Sequence, residues 1–405
     1  MSGLIANANE RQPAYGLSAE TLGIAALTEG ELRARLVAGC QQGDPHADAL
    51  VQRFAELPGG LGWQLFERAL EHGVDSLDDA PHELLALIGR ASLPPAWLDL
   101  DLVDAGANSF WRAGLPALAP SLIYGSLAFG YQYGDLARPL AATGRLERMA
   151  PRRLGETARW VLAVTTPGAM APGGDGWRAS LRVRLVHALV RRHLLDSDDW
   201  DVAAWGVPIS ASAMMATAIG GFAIVPQRAL SDVGADATAA DREARTALWR
   251  WVGYVMGVPP ALLPANWRDA ERLIEALAGI DHGPNDDGPA LMRALTHYGL
   301  PLEGLLPAWS VAPARLALAP MIEALVRRWL GEAASDALGV GRTPIVRLVP
   351  LARPLVRSLG LVLASGLLGD EHSATQLQIE LVGRLLDRAG APSRPLTPVG
   401  AVPHE

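Results

Sequence analysis

Apolar positions recur every three to four residues along most of this chain, the spacing that places them on one face of an α-helix. Alternating strand-like patterns are scarce, and Val, Ile and Thr do not cluster between turn signals. Pro and Gly instead separate the helical segments, as in Leu93-Pro94-Pro95. The helical spacing is clearest in Glu29–Gly39, Ala47–Phe54, Gly62–His72, Pro81–Ile88, Ala158–Val164, Trp177–Leu195, Asp241–Met256, Trp267–Ala278, Pro289–His297 and Ile322–Leu330. The pattern predicts an all-α protein.

The order of these segments predicts one helical body over residues 1–405. No repeat of fixed period is present, which argues against a helical solenoid. Pro-containing breaks divide the body into an N-terminal helical layer (1–96), a central core (97–258) and a C-terminal helical layer (259–389). The tail 390–405 is rich in Pro and Gly, and we expect it to be disordered.

The composition excludes several classes of chemistry. Half of the 405 residues are apolar, which is ample for a large core. The net charge of −8 argues against a surface for nucleic acid or anionic membranes. Cys40 is the only cysteine, so disulfides within the chain, Cys-rich zinc sites and iron–sulfur clusters are excluded. All 35 basic residues are arginine, which excludes lysine-dependent Schiff-base and P-loop chemistry.

The chain shows no targeting signal. The N-terminal residues contain no basic region followed by an apolar run, and no twin arginine. No stretch offers 18 uncharged apolar residues, and the nearest, 345–368, is interrupted by Arg347, Arg353 and Arg357. We therefore expect a cytoplasmic protein without a transmembrane segment. The oligomeric state stays open.

The segment 153–195 carries the most information on function. It contains two apolar helices joined by a loop rich in Gly and Pro, and Asp175 is predicted as the N-cap of the second helix. His187 lies midway along that helix. Because the helix is apolar on most sides, we expect it to be buried. His187 is then either a hydrogen-bonded core histidine or a ligand, such as the single axial ligand of a haem.

Two arginines share the helix face of His187. Arg184 and Arg191 lie one turn before and one turn after it. Buried guanidinium groups need anionic partners, and the propionates of a haem would serve. The alternative is structural ion pairing with carboxylates of the chain, such as Glu156 or the acidic group Asp198, Asp199 and Asp201.

Other catalytic motifs are absent. No histidines are spaced as in HxxxH or HExxH, which argues against a zinc hydrolase. The sequence GGDG at 173–176 follows no predicted strand and lacks the spacing of a phosphate-binding loop. No GxSxG nucleophile elbow occurs.

Several short motifs, in order, resemble the latex clearing protein and MpaB family. They are TGRL (143–146), RRLGET (152–157), PGG (172–174), RVRLVHALVR (182–191), WGVPIS (205–210) and LWRWVGYVMGV (248–258). The resemblance covers roughly residues 97–260. It implies an all-α haem b protein with a globin-like helical core and additional N- and C-terminal helices. It also implies an oxygenase that uses O2 to cleave C=C bonds of an isoprenoid or similar apolar substrate.

The resemblance assigns roles to individual residues. His187 corresponds to the proximal ligand of the haem iron, with Arg184 and Arg191 as candidate haem-binding residues beside it. Arg153 and Thr157 match the distal side of the haem in the family. Glu156 stands where the latex clearing proteins have a lysine that can cap the iron, so the lysine-capped state is out of reach here.

The carboxylate in place of that lysine changes the expected chemistry of the distal side. In an apolar pocket Glu156 should either pair with Arg153 or be protonated, and we expect it to stay off the iron. It is a candidate base toward an allylic hydrogen. Family members carry a further carboxylate upstream of this motif, and Asp135 is the candidate for it here.

Two other readings of the same residues stay open. One is a haem protein of another kind, either a peroxidase-like enzyme or a sensor. The other is a helical protein that binds a hydrophobic ligand without catalysis. Candidate walls of an apolar cavity are Trp160, Val164, Met214, Met215 and Phe222, for which plain core packing is the alternative.

Overall fold

The structure is a computed structural model that describes residues 23–142, 146–280, 285–365 and 370–392. These residues form α-helices with short 3₁₀ and π-helical segments, and no β-strand occurs among them. The predicted all-α class is confirmed. The α-helices are α1 (Glu29–Gly39), α2 (Pro45–Glu56), α3 (Leu61–His72), α4 (His82–Ser92), α5 (Leu100–Arg112), α6 (Leu115–Pro120), α7 (Ala128–Tyr131), α8 (Gly134–Ala141), α9 (Leu146–Val164), α10 (Asp175–Leu195), α11 (Val202–Trp205), α12 (Ala211–Met215), α13 (Val225–Asp232), α14 (Ala239–Val255), α15 (Trp267–Ala278), α16 (Gly288–Tyr298), α17 (Ala308–Leu330), α18 (Glu332–Ala337), α19 (Arg353–Ala364) and α20 (Glu371–Arg388).

Two long helical segments are interrupted by π-helix. The two π-helical segments are Ser121–Leu127, between α6 and α7, and Ala216–Ile224, between α12 and α13. The 3₁₀ segments are Val74–Ser76, Pro260–Leu262, Leu302–Gly304, Pro344–Arg347 and Val349–Ala352.

Helix starts follow the local sequence, with one correction. Asp44 caps α2 by accepting from the backbone N–H of Ala47, and Pro45 occupies the first helical position, where its missing N–H costs nothing. The prediction of Asp175 as the N-cap of α10 is wrong. Gly174 has the extended backbone of an N-cap, so the helix begins at Asp175 itself, whose carboxylate lies 3.5 Å from the guanidinium of Arg178.

Helices α9 and α10 pack antiparallel against each other. At one end, a Cβ on Gly176 would lie 2.7 Å from the carbonyl oxygen of Ala163, so only glycine permits this approach. One turn further along, the Trp160 indole donates to the Ser180 hydroxyl at 3.2 Å.

The largest hydrophobic cluster draws residues from all three predicted parts of the chain. Trp160, Phe222 and Trp249 meet within it, with the Phe222 and Trp249 rings stacked 4.8 Å apart. A second cluster, around Tyr124 and Leu295, joins the first π-helical segment to α16 and α17. The three-part division stays a prediction. Residues 393–405 of the predicted disordered tail lie outside the described residues.

Helix α17 is unusually exposed for a helix of such apolar composition. Among the described residues, α17 is long and apolar enough to cross a membrane, yet only 22% of its apolar window is buried. A bent pair, Leu100–Arg112 with Leu115–Tyr131, passes the same test if it is counted as one span, but its halves meet at 93°. The absence of a transmembrane segment and the cytoplasmic location both stay predictions.

Candidate active site around His187

His187 is partly buried, and its imidazole is held electrically neutral. Burial, followed by the positive charge of Arg191, lowers the pKa of the imidazole to about 4. The ring is therefore uncharged near pH 7 and keeps a nitrogen lone pair for a ligand. Its Nδ1 atom is enclosed and has no hydrogen-bond partner among the described residues. A buried imidazole nitrogen without a protein partner is uncommon, and it favours the ligand interpretation over a hydrogen-bonded core histidine.

Arg184 forms a buried ion pair with Asp44 of α2. Its Nε donates to Asp44 Oδ2 at 2.6 Å and its Nη2 donates to Oδ1 at 2.9 Å, while Nη1 donates to the carbonyl of Val255 at 3.0 Å. Both side chains are more than nine-tenths buried. Although burial opposes it, the charge of Arg184 and its hydrogen bonds hold the pKa of the Asp44 carboxyl below its usual value.

Arg191 links three parts of the chain on the other side of His187. It forms an ion pair with Asp48 of α2, and it donates to the carbonyl oxygens of Pro208 at 3.0 Å and Ile209 at 2.8 Å. Ile209 has a φ of +51°, the only positive φ outside glycine among the described residues. A β-branched residue in the left-handed region is strained, and such strain is concentrated at functional sites.

The acid partners of these two arginines therefore differ from those expected from the sequence. The predicted candidates were Glu156 and the acidic group at 198–201, whereas the observed partners are Asp44 and Asp48. Asp44 is the N-cap of α2 and Asp48 lies one turn further along, and each pairs with one of the two arginines that flank His187. The haem-binding role of Arg184 and Arg191 stays a prediction, but neither guanidinium needs a haem propionate to balance its charge.

A small cavity lies between His187 and this network. It is lined by Gly43, Asp44, Arg184, His187, Arg191, Ile209, Ala211, Met214, Met256 and Gly257. Its volume is about 10 Å³, which is room for no more than one water molecule. The cavity thus separates His187 from the residues that pack around it, and it is too small for a cofactor.

On α9, Glu156 is buried and paired, but with a different arginine from the one expected. Its Oε1 atom accepts from Arg152 Nε at 2.9 Å, one helical turn away, and its side chain is only 5% exposed. Arg153 donates to the carbonyl of Leu140 at 2.8 Å. Burial lowers the pKa of the Arg153 guanidinium, and the negative charge of Glu156 opposes that shift. Arg153 therefore interacts with Glu156 through its charge, while Arg152 supplies the hydrogen bond.

The two remaining candidates on the distal side occupy different places. Thr157 lies next to Glu156 on α9 and is half-buried. Asp135 lies on α8, within electrostatic range of Cys40. Burial raises the pKa of the Cys40 thiol, and the charge of Asp135 raises it further. The catalytic role of Asp135 stays a prediction.

The predicted wall residues are all buried. Trp160 and Phe222 belong to the aromatic cluster with Trp249, and Met214 lines the cavity beside His187. Met214 and Met215 end α12 directly before the π-helical segment Ala216–Ile224, an irregularity that is frequent at functional sites. No group of three or more His, Cys, Asp or Glu side chains that could hold a metal ion occurs in the described ranges.

Sequence reasoning missed Asp44, Asp48 and Ile209. The Asp-Pro step at 44–45 indicates a helix start, but nothing local indicates that the capping carboxylate also serves an arginine 140 residues away. The only available signal was indirect. Arginines on a buried helix need acids, and the sequence offers many acids.

Comparison with known proteins gives three findings. The family model for the catalytic domain of the ER-bound oxygenase mpaB/B′ and rubber oxygenase matches residues 111–361. The rubber oxygenase of Streptomyces sp. (strain K30) is 26% identical over 325 residues, which cover 78% of this chain and 74% of that protein. The solved structure of the latex clearing protein in its closed state superposes with a TM-score of 0.63 at 22% identity, covering 84% of this chain and 91% of the other.

Proposed function

Because the chain belongs to the family of mpaB/B′ and rubber-oxygenase catalytic domains, we propose that it is a haem b-dependent oxygenase of an apolar alkene. The family resemblance inferred from the sequence motifs is confirmed, and with it membership of an oxygenase family. The substrate class we propose is an isoprenoid or a similarly apolar molecule with C=C bonds. The observation that carries the cofactor proposal is the neutral imidazole of His187, whose enclosed Nδ1 atom has no hydrogen-bond partner among the described residues.

The donor chemistry around His187 fits a haem held by one protein ligand. A neutral imidazole binds iron well, and α10 fixes its position through ion pairs one turn before and one turn after it. Because Asp44 and Asp48 already balance Arg184 and Arg191, we propose that these arginines position the helix that carries the ligand. Haem, when bound, supplies the redox chemistry that activates O2.

The proposed reaction balances without an external reductant. One C=C bond and one O2 molecule are converted into two C=O groups, so each oxygen atom ends on one of the two former alkene carbons. The four electrons that O2 gains come from the two carbons, which are oxidised. No protein side chain is consumed, and no lysine is needed.

The chain's own contribution is exclusion of water and control of charge and protons. Trp160, Phe222 and Trp249 form an apolar interior next to the α9–α10 interface. Such surroundings favour an apolar substrate and keep water away from reactive groups. Glu156 is an acidic side chain of the predicted distal set, and it is buried one turn before Trp160 on α9. We propose that its carboxylate accepts a proton from the substrate's allylic position and returns it to the substrate before the products leave, so that the net reaction consumes no proton, while Arg152 fixes the orientation of the carboxylate.

The test uses purified, haem-loaded protein, an isoprenoid alkene and ¹⁸O-labelled O2. We expect O2 uptake that depends on the alkene, and carbonyl products that each carry one labelled oxygen atom. His187→Ala should abolish the uptake. O2 or peroxide consumption without alkene cleavage would favour the peroxidase-like or sensor interpretation. Purified protein that binds the alkene but cannot be loaded with haem would favour a hydrophobic-ligand binding protein.

A further inference from the structure

One segment of the C-terminal part has a charge opposite to that of the whole chain. Residues 337–369 contain four arginines and no aspartate or glutamate, whereas the chain carries a net charge of −8. The arginines are Arg342, Arg347, Arg353 and Arg357. Leucine is frequent between them, so the segment combines positive charge with large apolar side chains. It includes the 3₁₀ segments Pro344–Arg347 and Val349–Ala352 and helix α19.

Many of these leucines point away from the protein. Leu351, Leu355 and Leu361 are 72%, 74% and 71% exposed, which is unusual for leucine. Leu348 and Val362 are also exposed. Together with the four arginines, these five residues define what we call the basic apolar face.

The other side of α19 is packed against the protein. Leu359 and Leu363 lie against Gly114, where an added Cβ would come within 3.4 Å of both. Val356 packs against the main hydrophobic cluster. The helix is therefore anchored by one apolar side and exposes a second one. This anchoring accounts for the place of α19 in the fold, and the exposed leucines do not contribute to it among the described residues.

The arginines of the face are not fully neutralised. Arg347 is exposed and has no hydrogen-bond or ion-pair partner among the described residues. Arg357 and Asp236 form a pair at 3.4 Å in which both side chains are 61% exposed, so the pair is weak. Arg353 donates to the carbonyl of Asp232 at 2.7 Å, and its guanidinium lies 3.9 Å from the Asp232 carboxylate, which Arg328 also contacts. The guanidinium of Arg342, which is 76% exposed, lies 2.7 Å from Asp336.

We propose that the basic apolar face docks the protein on an anionic lipid membrane. Exposed leucines insert at the boundary between headgroups and acyl chains, and nearby arginines bind lipid phosphates. A second copy of this chain is a poorer occupant. A symmetric contact would bring the same arginines against each other, and the three neighbouring acids, Asp232, Asp236 and Asp336, are already paired with arginines of their own chain. The net charge of −8 argued against an anionic membrane surface only as an average over the chain.

The docking is expected to be reversible. A helix that lies at the interface buries a few leucines, and each nearby arginine adds modest attraction that salt screens. The proposal does not depend on the identity of the reaction. It is consistent with an apolar substrate, which would partition into the same membrane.

The test is flotation of the purified full chain with vesicles of two compositions. One contains phosphatidylcholine alone, and the other contains about one-third phosphatidylglycerol. We expect binding to the anionic vesicles that is at least about tenfold stronger and that weakens as salt is added. The double variant Leu351→Glu/Leu355→Glu should lose at least about tenfold in binding. Arg347→Gln/Arg357→Gln should lose the preference for anionic vesicles.

Leu93→Glu is the matched control, because Leu93 is 71% exposed at the end of α4, outside the basic apolar face. It should bind like the unmodified protein. Circular dichroism and haem content of all variants should be unchanged. The proposal is overturned if neither vesicle binds the protein, or if the double variant binds as well as Leu93→Glu. It is equally overturned if the double variant only converts a dimer into a monomer, because the face then belongs to a second copy.

Discussion

Asp44 has two roles, and a single substitution can remove its charge while keeping its capping oxygen. It caps α2 and neutralises a buried arginine of α10. Asp44→Asn keeps a capping oxygen but leaves Arg184 buried without a carboxylate. We expect it to lower the free energy of unfolding by about 3–5 kcal/mol, measured by urea denaturation.

Asp48→Asn is the matched control for this substitution, since Asp48 is one turn away and 36% exposed. Burial raises the pKa of Asp48 despite Arg191, so its ionised form gains less from folding. Its loss should cost less stability than the loss of Asp44. A larger effect for Asp48→Asn than for Asp44→Asn would contradict the assignment of the main ion pair.

The Asp44 pair also predicts a pH dependence. The folded protein lowers the pKa of this carboxyl, so its contribution to stability is present above the unfolded value of about 4 and is lost as the pH falls below it. The difference in unfolding free energy between the unmodified protein and Asp44→Asn should therefore shrink on acidification. A difference that grows below about pH 4 would show that the sign is wrong.

A substitution of Glu156 tests the proposed distal side without changing haem binding. Glu156→Gln preserves shape and the contact with Arg152 but removes the proton acceptor. We expect alkene cleavage to slow by about 10²–10⁴-fold, the usual contribution of a general base, with unchanged haem content. Glu323→Gln, on α17, is a control acid outside the site. Full cleavage activity in Glu156→Gln would remove the carboxylate from the mechanism.

At the scale of helices, α5 and α14 approach each other closely at Gly106. A Cβ on Gly106 would lie 2.2 Å from the carbonyl oxygen of Ala244, a backbone atom that cannot move alone. Gly106→Ala should therefore separate the two helices and lower the melting temperature by several degrees. Gly89→Ala, inside α4, meets nothing within 4 Å and should be neutral or slightly stabilising because alanine favours helix. Equal effects of the two substitutions would contradict the packing of α5 on α14.

Helical periodicity predicted well where a helix has one apolar and one polar face. The predicted segments Glu29–Gly39 and Trp267–Ala278 coincide with α1 and α15. Only Ile322–Leu330 of α17 was predicted, because its first half is apolar on both sides and contains Pro313 and Pro320. The π-helical segment Ala216–Ile224 is buried throughout apart from Thr217, so it has no polar face from which a period can be read.

The part of the candidate site that lies on a single helix could be predicted from the sequence. His187, Arg184 and Arg191 are neighbours on α10, so spacing alone groups them. The ion pairs of these arginines with Asp44 and Asp48 join residues that are 140 and 143 positions apart in the sequence. No local rule selects those two carboxylates from the other acids. Likewise, Glu156 could reach either Arg152 or Arg153 by helical spacing, and only the structure distinguishes the two.

At the scale of the whole molecule, two features suited to apolar molecules lie in different parts of the chain. The centre holds a neutral histidine next to an apolar, aromatic interior, and the C-terminal part exposes leucines among arginines. An oxygenase of an apolar alkene needs the first feature, and a membrane as a source of that alkene would explain the second. The two proposals can fail separately, because haem binding needs no vesicles and flotation needs no catalysis.

The central claim is that His187 is the axial ligand of a haem, and the most direct measurement is an absorption spectrum. Purified protein loaded with haem should show a Soret band whose position shifts on reduction with dithionite and on addition of imidazole. His187→Ala should lose the band or give an altered one that added imidazole restores. Histidine at position 193, exposed near the end of the same helix, is the matched control, and His193→Ala should keep the original spectrum. A His187→Ala protein with full haem content and an unchanged spectrum would contradict the account.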